Sequence, residues 1–242
     1  MSEPLFLVDQ LPPVGAFRLD GPEGRHAATV MRLRAGEALL LADGRGGIAA
    51  AVVTAPTGDA LAVDVVGIRT EPPPAHRLVV VQGIAKGDRG ELAVQAMTEA
   101  GVDGIVPWSA SRSVVQWRGE RGERAHARWQ ATVREATKQS RRPWLPEVAP
   151  TATTAAVADR LGAAAAGYVL HEEATERLTG VGLPASGEIC LVVGPEGGIA
   201  RDELDRFVAA GAVAVRLGPA VLRTSTAGVV ALAVLSARLG RW

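Results

Sequence analysis

Apolar and polar positions follow two different rhythms along the chain. Before Glu71 the apolar residues come in short runs, Pro4–Val8, Glu37–Ala42, Gly47–Thr54 and Leu61–Ile68. Turn residues stand between the later runs: Asp43-Gly44 with Gly46-Gly47, then Pro56-Thr57-Gly58-Asp59. Strand after strand at this spacing predicts a small β-barrel. Glu71-Pro72-Pro73-Pro74 is a stiff, extended spacer, which divides the chain into a domain over 1–71, a linker over 72–75 and a second domain over 76–242. Beyond it the rhythm changes to alternating strands and helices, the pattern of an α/β fold with a parallel sheet. Strands are predicted at Leu78–Val81, Gly104–Val106, Val114-Val115, Tyr168–Leu170, Ile189–Val193 and Ala212–Leu217. The predicted helices are Glu91–Ala100, Glu120–Gln139, Ala152–Leu161, Ala200–Ala210 and Thr224–Leu239. Pro143 and Pro146 follow the second of these and stop it.

The strand at Ile189–Val193 ends in Gly194-Pro195-Glu196-Gly197-Gly198, and the strand after it ends at Gly218-Pro219. Two strands that each stop at a glycine break before a helix are how open α/β sheets build ligand crevices. Standing alone, GPEGG is equally consistent with a sharp strand-to-helix turn. It does not match a phosphate loop. Glu196 and Ile199 occupy positions where the dinucleotide fingerprint needs glycine, and Ala200-Arg201 replaces the Lys-Ser/Thr pair of a P-loop. A glutamate inside the loop also repels phosphate, so the expected ligand is not a polyphosphate.

Composition adds few constraints. Of 242 residues, 48% are hydrophobic, enough for sizeable cores, and formal net charge is zero. The first residues lack the basic and apolar regions of a signal peptide, and the longest apolar run, Ala227–Leu235, is too short to cross a bilayer. A cytoplasmic location is expected. Cys190 stands alone, which excludes an internal disulfide framework. The histidines and this cysteine show no metal-ligand spacing, so no metal is expected. Charge becomes informative only when it is localised. Residues 110–142 hold nine Arg/Lys (among them Arg112, Arg141 and Arg142) against three Glu, whereas the chain on either side is slightly acidic. One basic segment on an otherwise acidic chain suits a phosphate-contacting face. Pairs such as Glu120–Arg124 also fit a solvated helix.

Taken together, GPEGG, Leu217-Gly218 some twenty residues later and Leu222-Arg223-Thr224-Ser225-Thr226-Ala227 opening the last helix resemble the SPOUT class of RNA methyltransferases. Within it the chain is most similar to the 16S rRNA (uracil-N3)-methyltransferase family. GIAKGDRGE resembles that family's K-G-D-R loop, SASRSVV its basic strand and EATKQSRRPWLPEV its E-A-x-x-Q-S-x-R segment, with Glu135, Gln139, Ser140 and Arg142 at a functional edge. His26, Leu33, Arg34 and Gly36 match an H…LR…G pattern in the first domain. The resemblance covers essentially the whole chain.

It implies a PUA-like barrel for RNA binding, a SPOUT domain tied in a trefoil knot, a homodimer, S-adenosyl-L-methionine as methyl donor and 16S rRNA or the assembled small subunit as partner. The donor site carried over is Leu170, Gly194, Glu196, Gly197, Gly198, Leu217, Gly218, Leu222, Arg223 and Thr226; Leu170 also reads as an ordinary core leucine. Arg25, His26, Arg34, Lys86, Arg89, Arg112, Arg141 and Arg142 are carried over as RNA contacts, although His26 fits a structural histidine as well. Arg223 is the candidate catalytic residue, stabilising the uracil anion or, alternatively, pairing with Glu196 to brace the two loops. The family's last motif is L-R-T-E-T-A, and here Ser225 replaces its glutamate, so either that glutamate is dispensable or another carboxylate such as Glu135 or Glu196 substitutes. Three readings follow: a methyltransferase acting on N3 of a uridine, a non-catalytic RNA-binding or ribosome-assembly module, and a SPOUT enzyme with another RNA target such as tRNA ribose 2′-O. A pure binder has no need of the glycine loops or the LRT motif, and the full motif set disfavours the third. The last helix has no wide polar face, which is what a helix buried on more than one side shows.

Overall fold

The computed structural model describes residues 3–242, which fold as two compact units. The first comprises the chain up to Pro73 together with Thr137–Leu145; the second comprises Pro74–Ala136 and Pro146–Trp242.

In the first unit five strands, β1 (Leu5–Leu7), β2 (Gly15–Leu19), β3 (Ala38–Ala42), β4 (Gly47–Thr57) and β5 (Ala60–Thr70), form a sheet in the order β1-β3-β4-β5-β2. β1 runs parallel to β3 and the other pairs are antiparallel. Alternation along the strands buries Leu39, Leu41, Ala49, Ala51, Val53, Leu61, Val63 and Val65 on one face around Phe6. Between β2 and β3 the chain forms a five-residue helix, α1 (Gly21–Arg25), that passes into one π-helical turn over His26–Val30. Gly24 is required there, since a Cβ would lie 2.3 Å from the Leu19 carbonyl oxygen.

Residues 137–145, which the sequence pattern assigns to the second domain, belong to the first unit because their partners lie in it. The Gly46 amide donates to the Pro143 carbonyl, and the Leu145 amide to that of Gly44. A Cβ on Gly46 would stand 2.6 Å from the Trp144 ring. Ahead of these contacts the chain turns at Arg141, a non-glycine residue with φ +54°. The Arg141 amide donates to the Lys138 carbonyl and the Arg142 amide to that of Thr137, a Schellman motif. The helix is therefore closed two residues before Pro143.

The second unit is a six-stranded parallel sheet in the order β11-β9-β10-β6-β7-β8, built from β6 (His76–Gly83), β7 (Gly104–Trp108), β8 (Glu147–Val148), β9 (Ala166–Leu170), β10 (Gly187–Val193) and β11 (Val213–Val215). Its helices are α2 (Arg89–Glu99), α3 (Gly119–Gln139, whose last turn belongs to the first unit), α4 (Thr154–Ala163), α5 (Arg201–Ala209) and α6 (Thr224–Arg238). Ile189, Leu191 and Val193 of β10 pack with α2, α3 and α6; Cys190 and Val192 pack with α4 and α5. The strands are apolar throughout because both faces are covered. Val114-Val115, read above as a strand, is a bend without a pairing partner. Among the described residues no helix is long and apolar enough to cross a membrane.

Candidate functional site

A cleft of about 1160 Å3 opens at the carboxyl ends of β9, β10 and β11, where parallel sheets place their ligands. Three loop segments and one face of α5 wall it: Leu170–Ala174 after β9, Val193–Ile199 after β10, and Ala214–Thr224 through β11 into α6, with Leu204 and Val208 of α5 beside them. The first and third are laced together. The His171 amide donates to the Val215 carbonyl at 2.9 Å, the Arg216 amide to that of Glu176, and the Leu178 amide to that of Arg216.

The middle segment owes its shape to its glycines. The Gly198 amide closes the turn on the Pro195 carbonyl at 2.9 Å, with Gly198 in the left-handed region at φ +72°. At Gly197 a Cβ would stand 2.7 Å from the Arg112 carbonyl oxygen and 2.9 Å from its Cβ, so the turn packs directly on the 109–113 segment. Glu203, 3% exposed, fixes that segment from the other side. It accepts from the Ser111 amide at 2.8 Å, the Thr154 hydroxyl at 2.9 Å and the Ala200 amide at 3.2 Å. Arg112 thereby reaches the cleft, and its Nη1 donates to the Gly197 carbonyl.

Of the donor-site residues expected from sequence, Leu170, Gly194, Glu196, Gly197, Gly198, Leu217, Gly218, Leu222 and Arg223 all line the cleft; Thr226 does not. Thr226 is exposed, and its hydroxyl turns back to the Arg223 carbonyl at 3.2 Å. Thr224 faces the cleft in its stead. Arg223 is the N-cap of α6 and has no ion pair among the described residues. The carboxylate of Glu196 goes instead to Arg89, 3.3 Å from Nη1, and to the Lys86 amide at 3.1 Å. Arg89 and Arg112 thus sit on the cleft rim as well.

Lys86 is exposed in the second unit, and the remaining expected RNA contacts lie in the first. Arg25 pairs with Asp59 at 3.6 Å, His26 meets Phe6 edge-on at 6.3 Å, and Arg34 is exposed. Arg141 and Arg142 flank the Schellman turn. Glu135 stands on α3, outside the cleft. Sequence reasoning did not select His171, Glu172, Glu173, Arg201 or Arg216 as site residues, yet they line the cleft. The signal for the first three was their place directly after a predicted strand.

Fold and cleft together define an RNA methyltransferase. Residues 71–236 match the RNA methyltransferase domain family and residues 19–66 the RNA methyltransferase PUA domain family. The ribosomal RNA small subunit methyltransferase E of Mycobacterium tuberculosis is 47% identical over 98% of this chain and 93% of its own length. The Bacillus subtilis protein of that name is 27% identical over 94% and 92%. A crystal structure of the Neisseria gonorrhoeae protein of that name, bound to S-adenosyl methionine, superposes with a TM-score of 0.85 at 28% identity, covering 98% of each chain. The chain belongs to the ribosomal RNA small subunit methyltransferase E family.

Proposed function

We propose that the chain transfers a methyl group from S-adenosyl-L-methionine to N3 of a uridine in 16S ribosomal RNA, acting in the cytoplasm as a homodimer. The observation that carries this reading is the cleft at the ends of β9, β10 and β11, with Arg223 at its mouth. Its residues suit an adenosyl group. Leu170, Val193, Ile199 and Leu217 supply apolar walls, and the 194–198 and 217–222 segments supply backbone donors and acceptors. A Cβ on Gly218 would meet nothing within 4 Å, so the wall there is open to a ligand. When bound, the donor supplies a methyl group already activated on its sulfonium. The protein's task is then alignment of the two reactants and stabilisation of the uracil anion. The N-cap guanidinium of Arg223 and the positive end of the α6 dipole both favour negative charge at that place. Exposed Arg34, Arg141 and the rim residues Arg89 and Arg112 suit phosphate contacts.

Exposed Val221 and Val230, 74% and 38% accessible on and beside α6, support self-association. Light scattering at micromolar concentration should give twice the chain mass; a monomer that methylates RNA would contradict the dimer. The function itself is tested by mass-spectrometric mapping of small-subunit RNA from cells with and without the gene. One 3-methyluridine should disappear and return on complementation. An unchanged modification map would leave a binding or assembly role.

A further inference from the structure

β6 reads Val79-Val80-Val81-Gln82-Gly83, and a glutamine at the end of so apolar a strand needs a reason. Gln82 is fully buried, at 0% exposure. Strand alternation sets it on the face of Leu78 and Val80, the face that α6 covers. Its Nε2 donates to the Thr224 hydroxyl at 2.9 Å and to the Gly83 carbonyl at 3.2 Å. The Thr224 hydroxyl in turn donates to the Gly194 carbonyl at 2.8 Å. These partners determine which way round the amide sits. Thr224 has spent its proton on Gly194, and Gly83 offers a carbonyl, so both neighbours require the NH2 group. Oε1 is consequently buried with no hydrogen-bond partner among the described residues. A buried unsatisfied acceptor is unfavourable and calls for a compensating role.

That role follows from what the chain of bonds joins: the end of β6, the first residue of the GPEGG turn and the first residue of α6. Gly83 shows the same closeness, since a Cβ there would lie 2.5 Å from the Pro195 nitrogen. We infer that Gln82 and Thr224 are positioning residues, a buried relay that holds the GPEGG turn and the start of α6 in register and so fixes Arg223 against the cleft. The inference rests on reading the cleft as the methyl-transfer site, although the relay itself is defined without it. Neither residue needs to touch either reactant. Misplacement of about an ångström at a reacting centre lowers rate by as much as about 100-fold, so a relay beneath the loops is enough to govern turnover.

The test uses the full chain and four variants: Gln82→Met, Thr224→Val, Thr224→Ser and the double Gln82→Met/Thr224→Val. Methionine and valine keep the volume and remove the polar atoms, and Gln82→Met also removes the orphaned Oε1. Melting temperature should therefore change little. Amide exchange needs no activity and reads the relay directly. Gly198 NH, which donates to Pro195, and Ala227 NH, which donates to Arg223, should exchange faster in Gln82→Met and Thr224→Val. Turnover on small-subunit RNA should fall about 10- to 100-fold in each single variant, with KM for S-adenosyl-L-methionine changed much less. The double variant should be no slower than the worse single variant, because one relay is broken once. Thr224→Ser keeps the hydroxyl and should restore both exchange and turnover. Wild-type exchange and turnover in Gln82→Met would overturn the inference, as would Thr224→Ser as damaged as Thr224→Val, or losses that multiply in the double. Should Gln82→Met fail to fold, the contrast between Thr224→Ser and Thr224→Val decides alone. A wild-type protein that methylates no uridine N3 would sink the proposed function and leave the exchange experiment to judge the relay.

Discussion

Two glycines of the cleft make opposite demands, and substituting each separates ligand binding from architecture. Around a Cβ on Gly218 there is nothing within 4 Å, and Pro219 follows it. A residue before proline is confined to extended backbone that any side chain adopts. Gly218→Leu should therefore fold with stability changed by no more than about 0.5 kcal/mol. Gly218 lines the cleft, so a side chain there is expected to crowd the donor proposed to bind beside it. Crowding a filled site costs about 1–3 kcal/mol, which is about 5- to 150-fold in Kd. Gly197→Ala behaves differently. Its Cβ would press on the Arg112 carbonyl at 2.7 Å, and backbone cannot swing aside. Either the turn or the 109–113 segment must move, so about 1–3 kcal/mol of stability should go along with donor affinity. Titration calorimetry with S-adenosyl-L-methionine and thermal unfolding measure the two quantities on the same samples. A well-folded Gly218→Leu that binds the donor as tightly as wild type would remove residues 217–218 from the donor site.

Arg223→Ala should lower turnover about 100- to 1,000-fold with little change in binding of either reactant, and raising pH should recover part of the loss by supplying deprotonated uracil. A fall in donor affinity large enough to account for the whole deficit would make Arg223 a binding residue. Arg141 is best replaced by glycine, since its φ of +54° suits that residue. Arg141→Gly with Arg142→Ala should weaken RNA binding and reduce the salt slope by about 1 to 2, and an unchanged slope would exclude phosphate contact at that turn. Burial, with Glu188 adding to it and Arg160 opposing, pushes the Cys190 thiol from 9.0 up to about 12. The folded state keeps this proton longer than the unfolded chain does. The associated stability is therefore complete below pH 9 and is lost as pH rises toward 12, about 4 kcal/mol over that window. Cys190→Ala should flatten the alkaline slope of urea unfolding, and an identical slope in both proteins would refute the assignment.

What was legible in the sequence divides along physical lines. β6 and β10 announce themselves because a parallel strand covered on both faces must be apolar throughout. The helices α2, α5 and α6 begin at glycine or proline breaks that local sequence carries. β2 and β8 are short and exist only through their partners, as Gly15–Leu19 pairs with β5 and Glu147–Val148 with β7. No local rhythm marks them. The same holds for residues 137–145, whose first three finish α3 and whose remainder, after the turn at Arg141, is claimed by the first unit through Gly44 and Gly46. In the cleft, the glycine loops were readable from their spacing. The choice between Thr224 and Thr226 was not, since it depends on helical phase once Arg223 is the cap.

That phase also disposes of the Ser225 departure. Arg223, Thr224 and Ala227 face the cleft, whereas Ser225 is 6% exposed and lies outside its lining. A side chain at 225 is taken into the protein, where a lone carboxylate is costly and a serine is not. Position 225 is therefore no place to look for a base. The carboxylates that do line the cleft are Glu172, Glu173, Glu196 and Asp205, and Glu196 is already engaged by Arg89 and the Lys86 amide. If the proposed target is right and Arg223 lowers the cost of the uracil anion, the N3 proton has two routes, the acidic loop after β9 or solvent. Alkaline rescue of Arg223→Ala selects solvent; a pH-independent defect, with Glu172→Gln and Glu173→Gln slowed alike, selects the loop.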